Sequence, residues 1–218
     1  MKIEIPIMQK EEVRKEILKR TKMPKWGWLD ITDGINLKFD PYLLAGAMVA
    51  ILQKFYERGI RNIDVLVTCE ASGNVLAVLG ALVAKELGIA NPGMYGLTFR
   101  KTEIDEIPMF DLYGQIKSAS HGNKIQTIST IGDFLARKRV LMLDDVLRDG
   151  KTAGTIKELV EKVGGTFLGL GAIFRKGWLK KEQLKNLDNT EIFSLIDVPS
   201  SEPKAFKKFK QEIIKSST

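Results

Sequence analysis

The sequence predicts an α/β fold, a mostly parallel twisted sheet with helices on both faces. Three observations predict it. Apolar runs of strand length recur at 63–69, 94–99, 139–144, 166–174 and 191–198. Helical stretches at 73–87 and 152–163 alternate with them, as βαβ units require. The runs are continuously apolar, as in IDVLVTC, which marks strands buried on both faces. Ligands of such sheets bind beyond the carboxyl ends of the strands. The residues around Glu70, Arg100, Asp144 and Phe174 therefore face the expected site.

Each element has a local reason. Residues 10–20 read as a polar helix. Residues 41–58 are a strongly apolar helix opened by Asp40-Pro41 and stopped at Gly59. The helix over 73–87 is followed by Gly88, and that over 152–163 ends in Gly164-Gly165. Residues 101–125 break the alternation, being polar, long and interrupted by glycine and proline. A stretch of that kind in a compact α/β domain is a functional lid or hairpin. Near the C-terminus, KAFKKFKQEIIK puts Phe206, Phe209 and Ile213 on one helical face and lysines on the other. It reads as a docked helix with a solvated basic face rather than a nucleic-acid patch.

Composition narrows the classes. A chain of 218 residues is one domain, and 44% apolar residues suffice for a core. No apolar run approaches the roughly 20 residues of a membrane span, and MKIEIPIMQKEEVRKEI lacks a secretory signal core. Cys69 is the one cysteine, which fits a reducing, cytoplasmic setting. Cys69 and His121 are too few and too far apart for a zinc site. The net charge of +7 calls for an anionic partner.

The chemistry concentrates in VLMLDDVLRDGKTAGTIKELVEKVGG, residues 140–165. Two acids stand where a strand hands over to a turn and a helix. A nucleotide-triphosphate P-loop is excluded, because the glycine it needs five positions before Gly150 is Asp145. A turn feeding a helix N-terminus still offers unpaired N–H groups and the positive end of the dipole. Gly150 permits close approach, and Thr152 can cap the helix and bond a phosphate oxygen. Asp144 and Asp145 suit hydroxyls, or Mg²⁺ through water. A ribose 5-phosphate carrying pyrophosphate satisfies the whole set.

The run LMLDDVLRDGKTA closely resembles the phosphoribosyl-pyrophosphate motif of type I phosphoribosyltransferases. VLVTCEASGNVLAVLGALVAKELGI (65–89) resembles the pyrophosphate loop and helix of the purine enzymes of that family, the adenine enzymes included. TFRK (98–101) resembles their basic strand end, and YGQIKSASHGNKIQTIS (113–129) their hairpin over the active site. LDITDGINLKFDPYLL (29–44) and IFRKGW (173–178) are most similar to the xanthine phosphoribosyltransferase branch. The resemblance implies a core over about 41–175 and a small hood from about 1–40 and 176–218.

It also implies roles. Asp144 and Asp145 hold ribose hydroxyls and the metal shell; Arg148, Asp149, Gly150, Lys151 and Thr152 hold the 5-phosphate. Glu70, Ala71, Ser72 and Gly73 present N–H groups to pyrophosphate, which Arg100 and Lys101 neutralise, commonly across a subunit boundary. Lys117 closes over the leaving group, with His121 and Lys124 as surface residues beside it. Trp178 stacks on the base, Lys176 donates to an exocyclic oxygen, and Asn36 helps close the pocket. A lysine cannot accept from an amino group, so a 6-oxopurine is favoured. The implied partners are phosphoribosyl pyrophosphate, a purine base, Mg²⁺ and a second copy in a homodimer.

Two departures stand out. Arg148 occupies the place of an aspartate in hypoxanthine-guanine enzymes, and an arginine cannot accept a proton. Glu103 or Glu106 is the alternative acceptor. Ala71-Ser72-Gly73-Asn74 replaces the Ala-Arg-Gly-Phe of the adenine branch. The competing readings are an adenine enzyme and a phosphoribosyl-pyrophosphate-sensing regulator without catalysis, to which KIQTIS has some likeness.

Overall fold

The computed structural model describes residues 8–70, 73–103, 110–118, 124–179 and 181–216, with backbone alone at a few of them, including Glu103, Lys117 and Lys124. Five helices, α1 (Lys10–Arg20), α2 (Pro41–Glu57), α3 (Gly73–Glu86), α4 (Lys151–Lys162) and α5 (Pro203–Lys215), surround a seven-stranded sheet. Its strands are β5 (Ile63–Cys69), β6 (Ala90–Glu103), β7 (Leu112–Ser118), β8 (Lys124–Thr130), β9 (Arg139–Leu147), β10 (Thr166–Lys176) and β11 (Glu191–Val198). Two small pairs precede them: β1 (Lys22–Lys25) with β2 (Trp28–Asp30), and β3 (Asp33–Gly34) with β4 (Lys38–Phe39).

The sheet order is β11-β10-β9-β5-β6-β8-β7. Pairing is parallel from β11 to β6 and antiparallel through β8 and β7. The expected α/β architecture is therefore the observed one. Residues 191–198, counted with the hood on sequence, pair with β10 at the edge of this sheet. Within 101–125 the described residues are largely strand. β6 runs on to Glu103, and β7 and β8 form the hairpin.

Alternation along each strand feeds two cores. Leu66, Leu141 and Leu143 join the core under α1, α2 and α3, while Val65, Val67, Val140 and Met142 join the core under α4. Close approach of α3 depends on small residues. A Cβ on Gly80 would stand 2.4 Å from Leu143 Cδ1, and one on Gly96 would stand 3.2 Å from Ala77 Cβ. α2 starts where Asp40 accepts from the Leu43 N–H at 3.1 Å, and Pro41 occupies the first turn. Asp40 also pairs with Arg20 Nη1 at 3.0 Å, tying the end of α1 to the start of α2.

α5 docks as its sequence suggests. Phe206 is buried, with Phe209 and Ile213 against the same core. Lys210 Nζ donates to the Lys19 and Thr21 carbonyls at 2.9 and 3.0 Å, capping the C-terminal end of α1.

Gly80→Val will overpack the α3–sheet contact and cost about 1–3 kcal/mol. Urea unfolding monitored by circular dichroism measures it. An unchanged midpoint would contradict the seating of α3 described above.

Candidate active site

The chain leaves the sheet in opposite directions on either side of one pair of strands. β5 leads through α3 to β6, and β9 leads through α4 to β10, with β5 and β9 adjacent. The crevice beyond their carboxyl ends is the switch point of the sheet. Around it stand Glu70 after β5, Arg100 and Lys101 in β6, Asp144 and Asp145 in β9, and Lys176 at the end of β10.

At the end of β9, Asp144 lies opposite Ala172 of β10. Its Oδ1 accepts from the Asp145 N–H at 3.0 Å, and Asp145 Oδ1 accepts from the Val146 N–H at 2.6 Å. Burial, and then the neighbouring Asp145 charge, push the Asp144 carboxyl up to about 8, against the pull of Lys101. Asp149 follows at the turn. It accepts from the Lys151 N–H at 3.2 Å and stands 3.7 Å from Lys151 Nζ. It shapes the loop by folding its carboxylate onto the start of the helix. Gly150, at φ +71°, is the N-cap of α4 in the left-handed region that favours glycine. The first helical bond is Gly154 N–H to the Gly150 carbonyl at 2.7 Å, so the N–H groups of Thr152 and Ala153 have no acceptor within the helix. The turn and helix N-terminus read from the sequence are present.

The second helix N-terminus, that of α3, starts at Gly73 beneath a close wall. A Cβ there would meet Thr68 Oγ1 at 2.9 Å. Ala71 and Ser72 lie outside the described residues. Glu70 departs from its expected role as an N–H donor to a ligand, because its N–H is donated to the Phe99 carbonyl at 3.0 Å. The hydrogen bonding between β5 and β6 extends one residue further than the sequence suggested. Instead the Glu70 carboxylate accepts from Arg100 Nε at 3.2 Å and from the Lys101 N–H at 3.1 Å. It fixes the direction of the basic strand end. Cys69, just below, is buried, which pushes its thiol up to about 12 and keeps it protonated.

Lys176 Nζ lies 5.4 Å from the centroid of the Trp178 indole. Lys176 is only 8% exposed. Burial and then the Arg148 charge lower it to about 8, with Asp149 opposing. Arg148 and Asp149 therefore lie near enough to act on the lysine. Asn36 sits in the turn between β3 and β4, its N–H donated to the Ile31 carbonyl at 3.1 Å. That segment is held to α1 and α2 through Arg20 and Asp40. Lys117 lies in β7 opposite Ile125, and its side chain is outside the described residues. His121 and Glu106 are outside them too, as is the Glu103 side chain.

The β1–β2 hairpin, with Trp26-Gly27 at its tip, escaped the sequence reading. Gly27 donates its N–H to the Ser201 carbonyl at 2.8 Å, and a Cβ on it would stand 3.5 Å from Lys176 Nζ. The glycine between two tryptophans was the available turn signal.

The acid pair can hold a hard cation only with help. No group of three or more metal-ligating residues gathers among the described residues. A carboxylate pair in which Asp145 raises the proton affinity of Asp144 suits an ion that keeps its waters and completes its shell from substrate oxygens, as Mg²⁺ does.

No family model matches the chain. It is similar to xanthine phosphoribosyltransferase of Ectopseudomonas mendocina, 28% identical over 173 residues, covering 77% of this chain and 83% of that one. The xanthine phosphoribosyltransferase of Macrococcus caseolyticus is 26% identical over 174 residues, covering 79% and 83%. In structure it is similar to adenine phosphoribosyltransferase of Rhodothermus marinus, with a TM-score of 0.62 at 23% identity over 85% of this chain and 98% of that one. The chain thus has the fold of these solved phosphoribosyltransferases and a sequence similar to curated purine phosphoribosyltransferases.

Because Asp144 is raised, it favours the folded chain below its ordinary value of 3.8, and that contribution is lost as pH rises through about 8. Asp144→Asn will remove this loss. In metal-free buffer the variant should fall less in Tm than the parent between pH 5 and pH 8. Parallel Tm profiles would contradict the burial assigned to this carboxyl.

Proposed function

We propose that the chain transfers a 5-phosphoribosyl group from phosphoribosyl pyrophosphate to a 6-oxopurine, xanthine, guanine or hypoxanthine, releasing pyrophosphate in purine salvage. The observation that carries this reading is the pairing of two groups across one crevice. An acid pair with an anion-accepting turn ends β9, and a buried lysine beside an indole ends β10. The relatives named as xanthine phosphoribosyltransferases support the choice of a 6-oxopurine.

The N–H groups at the start of α4, with Arg148, Gly150, Lys151 and Thr152, hold the 5-phosphate at the positive end of the helix dipole. Asp144 and Asp145 accept from the ribose hydroxyls. Gly73, with Ala71 and Ser72, offers the N-terminus of α3 to pyrophosphate, while Arg100 and Lys101, aimed by Glu70, neutralise its charge. Lys117, on the β7–β8 hairpin, closes over the leaving group. Trp178 stacks on the purine, Lys176 donates to its exocyclic oxygen, and Asn36 closes the far side.

The bond from the anomeric carbon to pyrophosphate oxygen breaks, pyrophosphate keeps the electron pair, and a purine nitrogen forms the new bond. Positive charge develops on the ribose between these events, next to the acid pair. No covalent nucleophile is required, in keeping with the protonated Cys69. Mg²⁺, when bound through water at Asp144 and Asp145, supplies further neutralisation of the pyrophosphate charge. The chain's own contribution is orientation and electrostatic preorganisation.

The protein acts as a homodimer in the cytoplasm on this reading. Val78 and Leu82, four residues apart on the outer face of α3, are both more than half exposed, which supports a second copy.

Purified protein given Mg²⁺, phosphoribosyl pyrophosphate and single bases will release pyrophosphate with a 6-oxopurine. Release with adenine alone would keep the reaction and overturn the base. Binding of phosphoribosyl pyrophosphate without release for any base would favour a regulator. Asp145→Ala should lower kcat by about 10²–10³-fold, in line with the loss of one preorganised electrostatic group. Its fold should persist by circular dichroism, and undiminished turnover would remove Asp145 from the mechanism. Lys176→Met should lower kcat/KM for the 6-oxopurine by about 10–100-fold, the scale of one charged hydrogen bond, and leave the affinity for phosphoribosyl pyrophosphate unchanged. Equal losses for both substrates would contradict a base-specific lysine.

A further inference from the structure

The hood reaches the chemistry through one residue. The β1–β2 hairpin turns at Trp26-Gly27, and Gly27 holds φ +62°, a conformation L side chains rarely adopt. Its N–H is donated to the Ser201 carbonyl at 2.8 Å, so the tip is latched to the segment between β11 and α5. The end of β11, which leads into that segment, secures the residue after the lysine, because the Gly177 N–H is donated to the Val198 carbonyl at 2.7 Å. A Cβ built on Gly27 would stand 3.5 Å from Lys176 Nζ, 3.9 Å from Trp178 Cζ2 and 3.9 Å from Ser201 Cβ. The bare backbone of the tip therefore lies over the ammonium and the indole edge, with no side chain between them.

We propose that Gly27 is a positioning residue for Lys176: the latched hairpin tip roofs the ammonium, excludes water from that side, and leaves it open toward the β9–α4 turn. This rests on the reading of Lys176 as the base-recognising lysine. The charged groups acting on the lysine, Arg148 and Asp149, both belong to that turn. The exocyclic oxygen of the base accordingly enters between the roof and the turn. Trp26 at the tip is 68% exposed and buries little, so the tip is placed by its backbone latch rather than by its side chain.

The backbone constrains Gly27: a Cβ there would only come into ordinary contact with Lys176 Nζ, but any residue other than glycine resists φ +62° and would shift the latched tip. The lowered proton affinity of Lys176 agrees with a dry roof, since desolvation is its first cause.

The test uses the full chain with two variants. Gly27→Ala adds the Cβ, and Gly27→Pro removes the N–H of the latch and cannot take the observed φ. Both should raise KM for the 6-oxopurine at least tenfold while the Kd for phosphoribosyl pyrophosphate stays within twofold. ¹⁵N NMR of the Lys176 ammonium should show its titration moving up from about 8 in Gly27→Pro, as water reaches it. An unchanged base KM and an unchanged titration in a folded Gly27→Pro protein would overturn the proposal. So would a parallel loss of affinity for both substrates, which a merely structural role would give. If the parent chain transfers to no base, the function assigned above fails. The titration, which needs no turnover, then still decides whether the roof exists.

Discussion

The parallel pairing of β5 with β9 is the contact on which the rest of the molecule depends. Val65, Leu66 and Val67 lie opposite Val140, Leu141 and Met142, apolar on both faces. From this seam the chain departs one way through α3 and the other way through α4. Both departures start with a turn and a helix N-terminus on the same edge. Two sets of outward N–H groups thus flank one crevice, with carboxylates from β9 between them. Among the described residues, no other pair of adjacent strands in the sheet brings two such turns together.

The site places two ionisable groups where burial works against their charges. Asp144 sits in a place that raises its proton affinity, and Lys176 sits in one that lowers its own. Each is unfavourable to the unliganded fold and suited to a ligand that brings the missing charge. Glycines carry part of the cost of crowding. Gly80 and Gly96 let α3 and the sheet approach, Gly150 turns the chain into α4, and Gly27 lets the hood touch the lysine. The basic excess of the chain is spread between such sites and plain scaffolding, as Lys210 at the end of α1 illustrates.

Much of this was legible in the residues. The strand over 63–69 matches its observed bounds because a continuous apolar run is a local signal, and the polar helix at 10–20 also matches its bounds. The acid pair and its turn were legible for the same reason. The antiparallel arm was legible as a hairpin by resemblance, but its pairing with β6 in the same sheet was not. β7 and β8 are short, mixed in polarity and paired with one another, so their burial comes from α4 beneath and not from their own pattern. Gly114, which a Cβ would bring within 2.9 Å of Thr155, is a sign of that packing only once the structure is known. The Glu70 N–H was misjudged because one further rung of a parallel ladder leaves no mark in sequence. The hairpin at Trp26-Gly27 was missed because its partner, Ser201, is far along the chain.

On the proposed function, Glu70 has a consequence for turnover. Its carboxylate already engages Arg100 and the Lys101 amide, so the cationic strand end is never bare. A polyanion arriving there displaces a resident counter-anion rather than loosely held water. The net gain is the difference between two pairings, smaller than the strength of either. Such a site grips a departing anion only lightly, and the carboxylate stands ready to reclaim its cations as that anion leaves.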